Sequence, residues 1–374
     1  MTIQIIDLKT GKIKNKEIKT IKWNNRNASK QNHPHFMIKE ILEQPDAIKH
    51  AILQNNEQLM KMAIGILRSR NVIITACGTS RYAALIGRYL FSKIGKKFCE
   101  VVMASEFGYF SDSIDKNTLV IAVSQSGETA DVLDGLKQAK NNGAEIYSII
   151  NVADSSIARM SNEVLCLNCG IEIGVAATKT FLNELIIFYL LAFAMDNEIN
   201  YAKNELIKIS ELIEKNIPDF IKKTKKIAEY TKNQKDFYYI ARGINFAICL
   251  EGALKLKEIS YIHAEGMPAG ELKHGTIALI KKKTPVVAIN PFDYTYNETL
   301  NNIQEAKARE SYIIGISDIE NSNYDCIIKI PKIKEIFYPI MCIIPLQLLA
   351  YYLAIIRGKN PDKPRNLAKS VTVK

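Results

Sequence analysis

The chain has 374 residues, 47% apolar and 24% charged, with a formal net charge of +11. Those totals describe a folded globular protein long enough for two domains, and they exclude a disordered or fibrous chain. The lysines are spread along the sequence, and runs such as Lys281-Lys-Lys283 carry few interleaved aromatics, so the excess charge reads as solvated surface that attracts small anions, not as a nucleic-acid groove.

Residues 1–32 are Lys- and Asn-rich and read as a connector, with residues 3–8 and 12–21 able to pair as a hairpin around Thr10-Gly11. His33-Pro-His35 has no third ligand nearby and reads as a surface turn. Residues 36–43 predict a short helix ended by Pro45, and residues 46–68 one amphipathic helix. An alternating pattern of strands and helices then begins. Residues 71–76 form a buried strand, Cys77-Gly-Thr-Ser80 a tight turn and residues 81–94 a helix; strands follow at 98–103, 118–123, 145–150 and 164–167, with a short helix at 156–160. Such alternation implies a parallel sheet covered on both faces, with ligands beyond the carboxyl ends of the strands. Residues 178–230 read as helical with a break at Pro218.

The pattern restarts with a strand at 237–241, a turn at Arg242-Gly243 and a helix at 246–260. Gly78 precedes Glu106 by the same interval that separates Gly243 from Glu271, and Ala104-Ser-Glu-Phe107 is answered by Ala269-Gly-Glu-Leu272, an offset of 165. The chain is therefore an internal duplication. Two apolar segments, 181–195 and 338–356, are read as buried core helices; Pro345 and Gln347 interrupt the second and argue against a membrane span. The seven cysteines lack disulfide-like spacing, which points to a reducing, cytoplasmic setting, and Cys166-Leu-Asn-Cys169 has no second pair to complete a zinc site.

The stretch that carries most chemistry is Ala122-Val-Ser-Gln-Ser-Gly-Glu-Thr129. A buried strand opens into a hydroxyl-rich turn at a helix N-terminus, where unpaired amides and the helix dipole favour an anion. Ser124, Ser126 and Thr129 add side-chain donors, and Gly127 lets the backbone approach closely. The P-loop pattern is absent, which favours a phosphate monoester over a nucleoside triphosphate. The second copy carries Asn290-Pro291 in place of this turn, so one phosphate site per chain is expected, in the first half. In the second copy Glu251, Lys255 and Glu258 share one helix face, where a Glu beside a Lys could act as a proton-transfer base. His274 lies between Gly270 and Gly275 on an expected loop. Lys369 lies in a polar C-terminal tail.

Together these motifs resemble the isomerase half of the glutamine–fructose-6-phosphate aminotransferases (glucosamine-6-phosphate synthases). The likeness runs from Pro34-His-Phe-Met-Ile-Lys-Glu40 to Lys374 and rests on Cys77–Ser80, Ser124–Asp131, Glu172-Ile-Gly-Val-Ala176, Glu251–Glu258, Ile262-His-Ala-Glu265, Gly270–Gly275 and Pro364–Val373. It implies an α/β fold of two duplicated sugar-isomerase (SIS) domains, each a parallel sheet with helices on both faces, plus an ordered C-terminal tail. The division is 1–32 as a linker remnant, 33–227 as the phosphate-binding domain, 228–359 as the domain with the catalytic Glu and His, and 360–374 as the tail.

By the same resemblance, Ser80, Ser124, Gln125, Ser126 and Thr129 would hold the phosphate of fructose 6-phosphate, while Thr79, Glu172, Val175 and Ala368 would line the sugar. His274 would promote ring opening, reaching in from the partner subunit of a homodimer. Lys369 would form a Schiff base with the open-chain ketose, ammonia would displace it at C2, and Glu258 would move a proton between C1 and C2 with Lys255 tuning it. No metal, pyridoxal phosphate or other cofactor is implied, and neither nucleic acid nor membrane is an expected partner. The glutaminase domain of the whole enzyme, which supplies its ammonia, is missing from this sequence. A stand-alone aminosugar-phosphate deaminase or isomerase is the alternative on the same fold, followed by a sugar-phosphate-sensing regulator.

Overall fold

A computed structural model describes residues 4–14 and 29–373. Within the first segment Ile6 bridges Ile13 in antiparallel fashion, as the hairpin reading requires; residues 3 and 15–21 of that hairpin lie outside the described residues. The helical prelude is α1 (Phe36–Leu42), α2 (Gln44–Ala51) and α3 (Asn56–Arg68). Pro45 does not end a helix but sits in the first turn of α2, where its missing amide costs nothing. The single helix expected over 46–68 is split, because the Asn55 side chain accepts from the Glu57 and Gln58 amides and starts a new helix.

The first half continues with β1 (Asn71–Ala76), α4 (Gly78–Lys93), β2 (Glu100–Met103), β3 (Thr118–Ser124), α5 (Ala130–Asn141), β4 (Glu145–Ile150), α6 (Ser156–Met160) and β5 (Glu163–Cys166). Two long helices follow, α7 (Lys179–Met195) and α8 (Ile199–Thr231). The second half is β6 (Asp236–Ala241), α9 (Asn245–Ser260), β7 (His263–Pro268), β8 (Pro285–Ile289), α10 (Tyr296–Lys307), β9 (Tyr312–Ser317), β10 (Cys326–Lys329) and α11 (Tyr338–Ile356). The first sheet has strand order β2-β1-β3-β4-β5 and the second β10-β9-β8-β6-β7, all parallel. Read from corresponding edges, these are one topology used twice, and β1 and β6 begin at Asn71 and Asp236, 165 positions apart.

The helix α8 runs through Pro218 instead of breaking there. The proline forfeits one intrahelical bond, but Ile213, Ile217 and Phe220 pack into the core on either side and hold the helix across it. One apolar cluster fills the space between the two sheets, drawing on α3, α4, α7, α8, α9 and α11. Smaller clusters lie under α5 and α6 on the outer face of the first sheet, and under α10 on that of the second. Among the described residues one helical segment, Glu335–Ile356, is long and apolar enough to cross a membrane, and 83% of its most apolar window is buried inside this fold. It is the core helix that the sequence predicts.

Helix α11 meets α9 closely: a Cβ on Gly252 would come within 2.9 Å of Leu346 Cδ1. Leu346 is fully buried there. Leu346→Ala should destabilise the fold by about 2–5 kcal/mol, as for other buried leucines, read as a lowered urea midpoint with an unchanged denaturant slope.

Candidate active site

Strand β3 is buried along its whole length and ends in Ser124. The chain then turns through Gln125–Glu128 to Thr129, the N-cap of α5. Gly127 has φ +66°, and a Cβ there would stand 2.0 Å from Ser155 Oγ, so only glycine fits the turn. Ser124 and Thr129 hydroxyls lie 3.0 Å apart, and Ser124 Oγ accepts from the Gly127 amide at 3.1 Å. Glu128 points away and accepts from the Ser156 amide at the start of α6. Ser124, Ser126 and Thr129 thus gather at the carboxyl end of β3, while Gln125 and Ser126 stay partly exposed.

The C-terminal tail lies directly on this turn. Ser370 Oγ donates to Ser126 Oγ at 3.0 Å, and the Ala130 amide donates to the Val371 carbonyl at 3.1 Å. Two residues upstream of Val371, the Lys369 amine donates to Glu172 Oε2 at 2.5 Å and to the Gly174 carbonyl at 2.8 Å. Glu172 is buried. Its carboxylate also accepts from the Thr178 amide, the Thr180 amide and the Thr180 hydroxyl, at 2.9, 3.1 and 2.7 Å. Burial pushes its pKa up, but Lys369 and these donors outweigh burial and hold it at about 2. Val175 is tied to the tail through its amide, which donates to the Asp362 carbonyl at 3.2 Å, and Ala368 is exposed beside Lys369.

The charged face of α9 meets α4 across the boundary between the halves. Lys255 is fully buried and donates to Thr79 Oγ1 at 2.9 Å. It pairs with Glu251 at 3.3 Å and with Glu258 at 2.6 Å. Burial raises the pKa of Glu251 to about 8 in spite of Lys255. Lys255 moves upward, because the two carboxylates outweigh its own burial. Glu258 is the member whose side chain keeps 20% exposure, so it is the carboxylate that can reach a ligand. The neighbouring Ser80 donates to Glu184 Oε1 on α7 at 2.7 Å. Glu184 is fully buried, and its pKa is raised to about 8, chiefly by desolvation.

Thr79 and Ser80 therefore join two networks, one reaching Lys255 and Glu258 and the other Glu184, while the tail joins Lys369 to the β3 turn. His274 stands apart: it closes a short 3-10 turn, is exposed, and its side chain makes no hydrogen bond or ion pair with the described residues. A cavity of about 910 Å³ between α3 and the amino ends of β1, β3 and β4 includes none of these residues. Three participants were not picked out by the sequence reading: Glu40, whose carboxylate accepts from the Ile173 and Gly174 amides; Glu184; and Asp362, which accepts from the Phe36 and Met37 amides. Glu40 and Glu184 look like ordinary helix residues in the sequence, and only tertiary contacts bury them.

The second half is differently equipped at the equivalent place. After β8, Asp318 accepts from the Phe292 amide, and Asp293 accepts from Thr295 and from Asn245 Nδ2. Carboxylates there satisfy the turn internally, where the first half has hydroxyls.

A repeated parallel sheet with its polar residues at the carboxyl ends of the strands defines a class, and sequence comparison agrees. The SIS domain family profile matches residues 65–194 and 231–357, so the chain belongs to the SIS domain family. Over 375 residues the chain is 48% identical to the glutamine–fructose-6-phosphate aminotransferase [isomerizing] of Thermococcus kodakarensis, covering 97% of this chain and 62% of that protein. It is 46% identical to the enzyme of the same name from Pyrococcus horikoshii, covering 99% of this chain and 63% of the relative. The chain thus spans less than two thirds of these relatives. Among solved structures, the C-terminal domain of glucosamine-fructose-6-phosphate aminotransferase from Francisella tularensis is similar over its whole length and 90% of this chain, with 36% identity and a TM-score of 0.83. The likeness is therefore to the isomerase part of these aminotransferases.

The low pKa of Glu172 has a thermodynamic consequence. A carboxyl whose folded pKa lies below its ordinary value of 4.5 adds stability above that pH and loses it as the pH falls toward about 2. Thermal midpoints measured from pH 5 to pH 2 should therefore fall more steeply for the native chain than for Glu172→Gln, with the two curves converging at the acid end. Parallel curves would contradict this assignment.

Proposed function

We propose that this chain converts fructose 6-phosphate and ammonia into glucosamine 6-phosphate and water, as the isomerase portion of a glutamine–fructose-6-phosphate aminotransferase. The observation that carries the reading is the placing of the tail: Lys369 rests on Glu172 while Ser370 and Val371 rest on the 124–129 turn. An amine and an anion cradle are thereby held together, which is what a phosphorylated ketose needs if its carbonyl is to meet a lysine.

In this reading Ser124, Gln125, Ser126, Thr129 and Ser80 hold the phosphate, with Ser80 turning from Glu184 to do so. Thr79, Glu172, Val175 and Ala368 line the sugar. Lys369 first gives up a proton. Its lone pair then adds to C2 of the open-chain sugar, and loss of water gives the imine. Ammonia adds at C2 and expels the lysine amine. Glu258 takes the proton from C1 and returns one to C2, while the C1 hydroxyl proton passes to the nitrogen on C2, completing the ketose-to-aldose shift. Lys255, held between Glu251 and Glu258, keeps Glu258 in place. The exposed His274 assists ring opening, contributed across the interface of a homodimer. Ammonia comes from a glutaminase domain in the full-length enzyme, and the site of action is the cytoplasm.

Two measurements test this. Incubation with fructose 6-phosphate and ammonium should yield glucosamine 6-phosphate, and Glu258→Gln should lower kcat by about 10²–10⁴-fold, the usual worth of a general base, with little change in KM. Borohydride with fructose 6-phosphate should label Lys369 and leave Lys369→Ala unlabelled. A label on another lysine would refute the assigned chemistry.

A further inference from the structure

Helix α1 presents a buried carboxyl, Glu40, to the loop that carries the lysine's partners. Glu40 Oε1 accepts from the Ile173 amide at 2.5 Å and from the Gly174 amide at 3.2 Å. The loop can approach so closely because residue 174 is glycine: a Cβ there would lie 2.8 Å from Glu40 Oε2. From the same short stretch of loop, the Gly174 carbonyl and the Glu172 carboxylate hold the Lys369 amine. The tail returns to α1 as well, where Asp362 accepts from the Phe36 and Met37 amides at 2.9 Å. Glu40 is thus one loop away from Lys369, on an element clamped to both the loop and the tail.

We propose that Glu40 is a positioning residue for Lys369: through the Ile173 and Gly174 amides it fixes the loop whose Glu172 carboxylate and Gly174 carbonyl hold the amine, and its own charge adds to that of Glu172 beside the ammonium. The proposal deepens the Schiff-base reading of Lys369 given above and rests on it for its catalytic meaning. The charged and titratable groups around Glu40 are few. Glu172 acts on it from the loop and Lys369 from the tail, while Asp362 of the tail meets the Phe36 and Met37 amides at the start of α1. Lys39 and Glu43 flank it on its own side of the chain, with Lys179 of α7 paired to Glu43 at 2.7 Å. His35 is engaged with Tyr351 of α11, and Lys30 lies 3.5 Å from Asp362.

Two carboxylates beside one ammonium leave the cluster one negative charge in excess. Desolvation and the Glu172 charge push the Glu40 pKa up to about 7, so this excess is relieved near neutrality by protonating Glu40. The Glu40 and Lys369 charges attract one another, so replacing Glu40 by a neutral residue removes one of the two carboxylate charges beside the ammonium.

The test uses the whole chain and no substrate. Trace acetic anhydride acylates amines only in the neutral form, and the rate at Lys369 can be followed against pH by mass spectrometry. Glu40→Gln keeps an acceptor for the two amides but removes the charge, so its Lys369 profile should move to lower pH by about one unit. Hydrogen exchange at Ile173 and Gly174 should stay slow in Glu40→Gln. In Glu40→Ala it should speed up at least tenfold relative to amides of β3, which report global folding. Superimposed Lys369 profiles for Glu40→Gln and the native chain would overturn the proposal even if Glu40→Ala fails to fold. Because neither readout involves fructose 6-phosphate, absence of borohydride labelling in the native chain would remove the Schiff base and leave these results to stand or fall separately.

Discussion

A carboxylate removed from water is costly unless something of opposite charge, and enough hydrogen-bond donors, replace the solvent. Glu172 meets that demand with Thr178, Thr180 and Lys369. The lysine comes from near the chain terminus, a region that ordinarily frays. The need of a buried acid for a cation therefore orders the tail. Once Lys369 is seated, Ser370 and Val371 have little choice but to cross the N-terminus of α5, where a backbone carbonyl meets an unpaired helix amide. The same contact that satisfies Glu172 places the tail across the 124–129 turn.

A second buried charge joins the two halves. Lys255 leaves α9 and ends on Thr79 of α4, with Glu251 and Glu258 as its counter-ions. Neither half contains the whole of this arrangement. Duplication supplied two sheets of one topology, and their polar ends have since diverged in sign. The first acquired hydroxyl donors around Gly127, and the second acquired acids that either satisfy their own turn, as Asp293 does, or face the first half, as Glu251 and Glu258 do. Under the proposed function this divergence has a use: a carboxylate base on the same turn would repel the phosphate, and dividing the two tasks between two copies of one fold would remove the conflict.

The parts legible in the sequence are those governed by local pattern. Strands buried on both faces read as continuous apolar runs, and the repeat offset follows because both copies keep the same strand and turn spacing. The hydroxyl-rich turn is readable for the same reason: strand, turn and helix are consecutive. Element boundaries fared less well where a side chain overrode periodicity, as with the Asn55 cap, or where tertiary packing overrode propensity, as at Pro218. Lys369 could not be singled out from its neighbours by composition, and the family likeness carried it. Glu40 left no trace at all, because Lys39-Glu40 on a short helix looks like a solvated face until the 172–174 loop and the tail cover it.

The site draws on α1, the turns after β1 and β3, the loop before α7, the face of α9 and the tail, which are separated by most of the chain. Each contributes a group that would be unfavourable alone: a buried Glu40, a buried Glu184, a buried Lys255, an acid at Glu172. Lys369 meets Glu172, and Lys255 reaches Thr79 while paired to Glu251 and Glu258, only with both halves docked and the tail in place, so the compensation of these buried charges belongs to the fully folded chain. Coupling of this kind concentrates the like-charge strain at the edge of the core where α4, α7 and α9 meet. The strain is tolerable because the apolar cluster between the sheets, with α7 and α11 at its centre, holds the surrounding helices in register. Stability gained in that shared core is what permits three acids to be buried so near one another at its polar edge.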